Sequence, residues 1–442
     1  MPTLRTHLRG AACVALLVSP GAVVAQTTTA LAAAERSITS SVDKHNAEAL
    51  ALLERLVNIN SGTLNFAGVR QVGDVLRSEF DALGFTTRWV DGAGFKRAGH
   101  LVAEHKGSGP KIILIGHLDT VFEPSNPFQK FERLNDSTAK GPGIIDMKGG
   151  DVVMLFALRA LKDAGLLQNM NITAVFNGDE EEAGVPLDAA RKTLIDAAKG
   201  ASAALGFEDG AGDPKTAVIS RRSAGSWTLT TTGTPAHSGQ IFKPEVGAGA
   251  VYEASRILNA FYTQLSNEQY LTFNPGLAIG GTLVKVDSTG VEGSGAGKRN
   301  VVAGTMTVTG DLRTLSPEQH AKAMRTMKTI VSTHHLPKTS ATIEFDDGYP
   351  PMAPTQGNRR LLAMYDKASR DIGAGGVAAV DPSRAGAADV AFIASIVPMI
   401  IDGIGLSGHD DHSDKETADL RMLPSQTKRA ALVMYRLTRT VP

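Results

Sequence analysis

Acidic residues cluster at five places in this 442-residue chain, and histidine joins them at two. The first cluster is Gly116-His117-Leu118-Asp119, directly after the apolar run Lys111-Ile112-Ile113-Leu114-Ile115. A neutral imidazole at His117 can hold a metal through one ring nitrogen. Asp119, two residues on, can accept the other ring N–H and raise the basicity of the ligand. Taken alone, His-x-Asp is short, and a polar loop around a satisfied core histidine accounts for it more simply. The second place is Gly141-Pro142-Gly143-Ile144-Ile145-Asp146-Met147-Lys148-Gly149-Gly150-Asp151. Its glycines permit close backbone approach and a tight entry into a helix. Asp146, just ahead of that helix, has two oxygens with which to bridge two cations; the plainer reading is an N-capping aspartate before a solvated lysine. The third is Asn177-Gly178-Asp179-Glu180-Glu181-Glu182. Four acids in a row are usually a solvated surface. Here they follow a buried strand without flanking basic residues, so a cation can neutralise them. Adjacent glutamates also allow one to ligate and the other to move protons. Phe207-Glu208-Asp209-Gly210 sets further acids at a strand end, and His409-Asp410-Asp411-His412-Ser413-Asp414-Lys415 adds imidazoles late in the sequence. A lone histidine, His237, stands in Pro235-Ala236-His237-Ser238-Gly239. By itself each of these last three segments reads as a solvated loop.

The elements around these clusters alternate. After a loose polar lead over residues 26–41, periodicity predicts helices over 47–57 and 69–83, the second stopped by Gly84. Strands follow over 86–90 and 100–104. The continuous apolar run at 111–115 predicts a strand buried on both faces. A helix over 152–161, a strand over 171–176, a helix over 186–198 and a short strand over 203–207 complete a strand–helix alternation. That order implies a mostly parallel sheet covered by helices. The pattern changes near Ser220. Half-exposed strands at 226–232, 305–313 and 340–346 alternate with helices at 247–265 and 317–332, which describes a smaller α+β insertion over residues 221–346. Helix and buried-strand patterns return at 359–372, 389–395 and 396–401. The α/β main domain is therefore expected in two pieces, 26–220 and 347–442. In such sheets ligand sites form at the carboxyl ends of strands, which is where the polar clusters fall.

Composition narrows the function classes. Lys plus Arg and Asp plus Glu number 45 each, so no basic excess is available to displace counterions from nucleic acid. Aromatic residues are 5% of the chain, too few for a base-stacking platform. At 42% hydrophobic residues the chain can bury a large core. Residues 1–25 carry Arg5 and Arg9, a short apolar run and then small residues, the layout of a cleaved secretory signal peptide. The protein is expected to be secreted or periplasmic, with no membrane association after cleavage. The one cysteine, Cys13, lies in that segment. The mature chain then has no disulfide or thiolate, and any metal must be held by His, Asp and Glu, a set that suits a catalytic zinc.

His-x-Asp-x-Val, Gly-Pro-Gly-Ile-x-Asp-x-Lys-Gly-Gly, Asp-Glu-Glu, Phe-Glu and His-Ser-Asp-Lys occur in this order around the inserted segment. Together they resemble the dizinc carboxypeptidase/aminoacylase metallopeptidases of the glutamate carboxypeptidase type, over nearly the whole mature chain. The resemblance implies a zinc-exopeptidase-like catalytic domain interrupted by a lid and dimerisation domain. It implies two zinc ions, for which cobalt or manganese can substitute, with Asp146 bridging them. His117 and Glu208 complete one metal, and Glu181 and His412 the other. Glu180 matches the general base, and Asp119 the residue behind the histidine ligand. His237 matches a lid histidine that reaches across a homodimer to polarise the substrate carbonyl, and Asn300 and Arg313 match positions that hold the substrate carboxylate. Three positions depart from the pattern. Met147 replaces a second aspartate, Tyr349 stands where an arginine precedes a proline, and Arg384 lies in a loop that is more glycine-rich in that family; these touch the region that sets specificity. The implied activity is hydrolysis of the amide bond to a C-terminal amino acid in a peptide or N-acyl amino acid. A dipeptidase, an aminoacylase or a deacetylase would use the same chemistry. A non-catalytic exported binding protein is the rival from another class, and it would have no use for a free base at Glu180.

Overall fold

A computed structural model describes residues 31–440; the signal-peptide reading of residues 1–25 falls outside them. The central sheet runs, in spatial order, Thr86–Asp91, Gly99–His105, Asn171–Asn177, Lys111–His117, Ala203–Gly206 and Ile400–Ile401. Lys111–His117 is parallel to both of its neighbours, and Ile400–Ile401 is parallel to Ala203–Gly206. At one end of the sheet, Gly99–His105 runs antiparallel to both of its neighbours, Asn171–Asn177 and the edge strand Thr86–Asp91. Continuous apolar sequence is explained by two covered faces, because successive side chains point to opposite sides of the sheet. Ile112 and Leu114 join the core under the helices Ala33–Val57, Lys148–Asp163 and Met422–Thr440, while Ile113 and Ile115 pack on the other face with Leu194 and Val390.

Several elements around the central sheet differ from the sequence expectation. The first helix begins at Ala33 instead of near residue 47, because Ile38 and Val42 extend the buried stripe of Ala49, Leu52 and Leu56 backwards through a serine- and threonine-rich surface. The helix Met422–Thr440, with Leu423, Ala430, Val433, Met434 and Leu437 buried, went unrecognised. Residues 389–395 form a 3-10 turn, Asp389–Ile393, and the strand expected over 396–401 shortens to Ile400–Ile401.

A second, antiparallel sheet runs Pro275–Gly281, Thr305–Leu312, Ala224–Thr232 and Ser340–Tyr349. The helices Ala250–Leu265 and Pro317–Ser332 cover one of its faces. They share a separate core with it, made of Trp227, Leu229, Ile257, Phe261, Val308 and Met327. Pro275–Gly281 and the hairpin Leu283–Val286/Gly293–Ala296 escaped the sequence reading because they are exposed and glycine-rich, with no apolar alternation. The two connections to the central sheet cross side by side, where Arg221 and Met352 exchange both backbone hydrogen bonds at 2.9 Å. Last, a small sheet ties Gly408–His409 and Thr417–Asp419 to Thr138–Lys140 and Glu132–Arg133, which carries the late histidine segment back to the middle of the chain.

Candidate metal centre

His117 is the last residue of its strand, and Asn177, which precedes the acid run, ends the neighbouring parallel strand. Glu208 follows the third parallel strand by two residues. Three clusters therefore leave the same edge of one sheet. Asp146 reaches that edge from the loop ahead of the helix Lys148–Asp163. The helix can approach so closely because of its glycines: a Cβ on Gly150 would lie 1.8 Å from the Phe207 carbonyl oxygen. A Cβ on Gly116 would lie 2.2 Å from Asp151 Oδ1.

The two carboxylate oxygens of Asp146 point at different histidines. Oδ1 is 3.0 Å from His117 Nε2 and Oδ2 is 2.9 Å from His412 Nε2. Glu208 Oε1 lies 3.7 Å from His117 Nε2, and Glu181 Oε2 lies 3.1 Å from His412 Nε2. His117, Asp146 and Glu208 form one trio of donor atoms within 4.8 Å of one another, and Asp146, Glu181 and His412 form a second. The remaining oxygen of Glu181, Oε1, is buried with no hydrogen-bond partner among the described residues. Two imidazoles and three carboxylates, one of them shared and one with an orphaned oxygen, fit a pair of divalent cations that take N and O donors.

Supporting contacts fix the ligands. His117 Nδ1 lies 3.1 Å from the Asp119 carbonyl oxygen and 3.5 Å from Asp119 Oδ1, which leaves Nε2 for the centre. The Asp119 carboxylate also accepts from Thr63 Oγ1 at 2.7 Å and from the backbone N–H groups of Glu180 and Glu181 at 3.0 and 3.1 Å. One side chain thus orients a histidine and the acid run together. The four acids of that run divide. Glu181 faces His412, Asp179 turns into a buried ion pair with Arg191 at 2.7 Å, Glu182 turns outward to Arg97 at 2.7 Å, and Glu180 feels the charges of Glu208, His117 and Glu181. Glu416 was not anticipated. Its buried carboxylate accepts from the N–H groups of Gly143, Ile145 and Asp146 at 2.9, 2.9 and 3.2 Å and so shapes the loop that presents Asp146. The signal available in the sequence was an acid four residues past His412, which looks like any exposed strand residue.

Electrostatics reports the same concentration of negative charge. Burial pushes Glu208 up to about 7 and Glu181 up to about 8, the latter helped by Asp146. Burial and the charges of Glu208 and Asp389 hold Glu180 well above the usual carboxylate range. Hydrogen bonds to Asp146 and Glu181 push His412 up to about 11. At His117 burial opposes protonation, but the Glu208 charge and the contacts with Asp119 and Asp146 override it and raise the imidazole. Without a cation the site recruits protons, and cation binding must release them.

The structure places the other candidate residues elsewhere. His237 is exposed at the head of the turn Ser238–Gln240, where its Nδ1 accepts from Gly239 N at 3.1 Å. Asn300, also exposed, accepts Ser238 N at 2.9 Å through its carbonyl, so these two share one edge of the second unit. Arg313 pairs with Asp311 at 3.1 Å, and Arg384 is exposed in the turn Pro382–Arg384. Among the described residues, no hydrogen bond or ion pair joins His237, Asn300, Arg313 or Arg384 to the five ligand residues.

A carboxylate shared between two N/O donor trios, at the carboxyl ends of a mostly parallel sheet, is the arrangement of a metal-dependent hydrolase. The sequence pattern described as "Peptidase family M20/M25/M40" matches residues 113–439, and the chain belongs to this family of metallopeptidases. It is 30% identical over 392 residues to Carboxypeptidase G2 from Pseudomonas sp. (strain RS-16), covering 87% of this chain and 88% of that protein. Among solved structures, aminopeptidase PepT from Bacillus cereus ATCC 10987 is similar with a TM-score of 0.70 and 18% identity, over 89% of this chain and 98% of that one. A Bacillus subtilis protein described as a dinuclear metal binding peptidase from M20 family has a TM-score of 0.60 and 15% identity, over 90% and 99% of the two chains. At those identities the structures show a shared fold.

Proposed function

We propose that this protein is an exported dizinc exopeptidase that hydrolyses the amide bond to a C-terminal amino acid, in a peptide or an N-acyl amino acid. His117, Asp146 and Glu208 would hold one cation, and Asp146, Glu181 and His412 the other. When bound, the two cations supply Lewis-acid polarisation of the scissile carbonyl and acidify an attacking water. Glu180 takes the proton of that water and delivers it to the leaving nitrogen. Its backbone N–H is held by Asp119, so little ordering entropy is spent on placing this residue. Asp119 also keeps the His117 ring in place throughout.

The second unit supplies substrate contacts in this reading. His237, brought from a partner subunit in a homodimer, donates to the developing oxyanion. Arg313, with Asn300 beside the substrate, clamps the free α-carboxylate, and Arg384 borders the subsite of the leaving amino acid. Export rests on the charged, apolar and small-residue order of residues 1–25.

The observation that carries the proposal is the Asp146 carboxylate with one histidine nitrogen on each oxygen. The test is a hydrolysis screen of N-acyl amino acids and dipeptides with and without a chelator, run beside Glu180→Gln. Turnover is expected to need metal and to fall by about three orders of magnitude in Glu180→Gln with metal content unchanged. Normal turnover in that variant would reject Glu180 as the base.

A further inference from the structure

The last strand of the second sheet, Ser340–Tyr349, ends against the acid run of the metal centre. Its pairing with Ala224–Thr232 breaks between Asp346 and Tyr349, and Gly348 inside that break has φ 51°, a left-handed value that glycine adopts freely. Past the break, the Tyr349 hydroxyl donates to the Glu180 carbonyl oxygen at 2.9 Å. The same hydroxyl accepts from Arg191. Its single proton and an acceptor site are therefore both engaged inside the protein. The ring meets Phe392 edge-on at 4.8 Å.

Arg191 is itself fully buried and fixed. It donates to Asp179 Oδ1 at 2.7 Å and to the Asp179 carbonyl oxygen at 2.9 Å, and its Nε lies 2.7 Å from Asp389 Oδ1. The other Asp389 oxygen accepts from Asn177 Nδ2 at 2.6 Å. The Tyr349 hydroxyl thus belongs to a buried network rooted at the end of a central strand. Glu180 is gripped at both backbone groups: Asp119 holds its N–H from the first sheet, and Tyr349 holds its C=O from a strand of the second.

We propose that Tyr349 is a positioning residue that fixes the Glu180 backbone, so that the placement of this residue depends on where the second sheet stands against the first. The inference rests on the reading of Glu180 as the base. Tyr349→Phe removes the hydroxyl and keeps the ring against Phe392, which makes it the informative variant. Hydrogen exchange is measured on the full zinc-loaded chain. Backbone amides over residues 179–184 should exchange about tenfold faster in Tyr349→Phe, with residues 141–150 unchanged. On whichever N-acyl amino acid or dipeptide the wild type hydrolyses, kcat should fall about tenfold, with KM within about twofold and zinc content unchanged. Phe392→Leu, which loosens ring packing but keeps the hydroxyl, should lower Tm more than it lowers kcat. Wild-type exchange over 179–184 in Tyr349→Phe overturns the inference, and so does an unchanged kcat. Glu180→Gln, run in parallel, separates the two ideas. If it is inactive while Tyr349→Phe behaves as wild type, the positioning role alone falls. If Glu180→Gln is fully active, the reading of the base falls and this inference with it.

Discussion

His117 and His412 approach one carboxylate from regions built in opposite ways. His117 closes a parallel strand with its side chain 1% exposed and its ring held by Asp119. The His412 side chain is 52% exposed, and φ is 58° there and 63° at Asp410, a left-handed turn that costs a non-glycine residue of order 1 kcal/mol or more. Short pairings on either side, Gly408–His409 with Thr417–Asp419, hold that turn together with a local hydrogen bond from Ser413 Oγ to the Asp410 carbonyl oxygen at 2.8 Å. One half of the centre is thus positioned by the sheet and the other by a loop. Preorganised donors lose less entropy on binding, so the His117 half should bind its cation more tightly and exchange it more slowly.

The largest expected effect breaks that asymmetry directly. His412→Ala should keep about one cation per chain, whereas His117→Ala should lose both, because removing its ring also frees Asp119 and the acid run that Asp119 anchors. Metal analysis after gel filtration reads this out. Equal losses in the two variants would mean that the contrast between sheet and loop has no bearing on affinity.

A smaller effect sharpens the view of the buried half. Gly116→Ala would drive a methyl group into Asp151, so strand or helix must shift next to His117. A drop of about 2–3 kcal/mol in stability by urea unfolding is expected, together with weaker metal binding. An Ala variant with wild-type stability and metal content would show that this edge is looser than its packing implies.

The smallest effect concerns Asp151. It is fully buried, both its carboxylate oxygens lack hydrogen-bond partners among the described residues, and burial holds its pKa well above the usual value. A carboxyl group whose folded pKa exceeds its unfolded pKa favours folding in its neutral form. The resulting penalty is absent below the unfolded pKa of about 3.9 and grows as pH rises towards the folded one. Asp151→Asn cannot ionise, so its Tm relative to wild type should rise between pH 5 and pH 8. A difference that does not vary with pH would show that Asp151 has an ordinary pKa in the folded protein.

Much of this architecture was legible in the residues because burial on two faces leaves a mark. Lys111–His117 and Asn171–Asn177 are apolar runs, and each ends in the polar residues that open the site. The five candidate ligands were named because their motifs keep a fixed order around the insertion, and the structure brings their donor atoms into two groups. Other parts left no such mark. The turning of Asp179 and Glu182 away from the site depends on Arg191 and Arg97, which come from other elements, so nothing in the run itself foretold it. Glu416 and Asp389 act only through folded contacts across long stretches of chain. Tyr349 stood out as a departure from a motif, yet its hydrogen bond to the Glu180 backbone depends on a break in strand pairing that no periodicity encodes. His237, Asn300 and Arg313 were named from the resemblance, and they lie on the second unit, where no hydrogen bond or ion pair joins them to the five candidate ligands among the described residues.

The most direct test of the account is anomalous diffraction at the zinc edge from crystals of the zinc-loaded chain. Two peaks are expected, one on each side of the Asp146 carboxylate. The first should lie about 2.0–2.2 Å from donor atoms of His117 and Glu208, and the second at the same distance from Glu181 and His412. A single peak, or peaks away from Asp146, would contradict the shared carboxylate on which the whole reading stands.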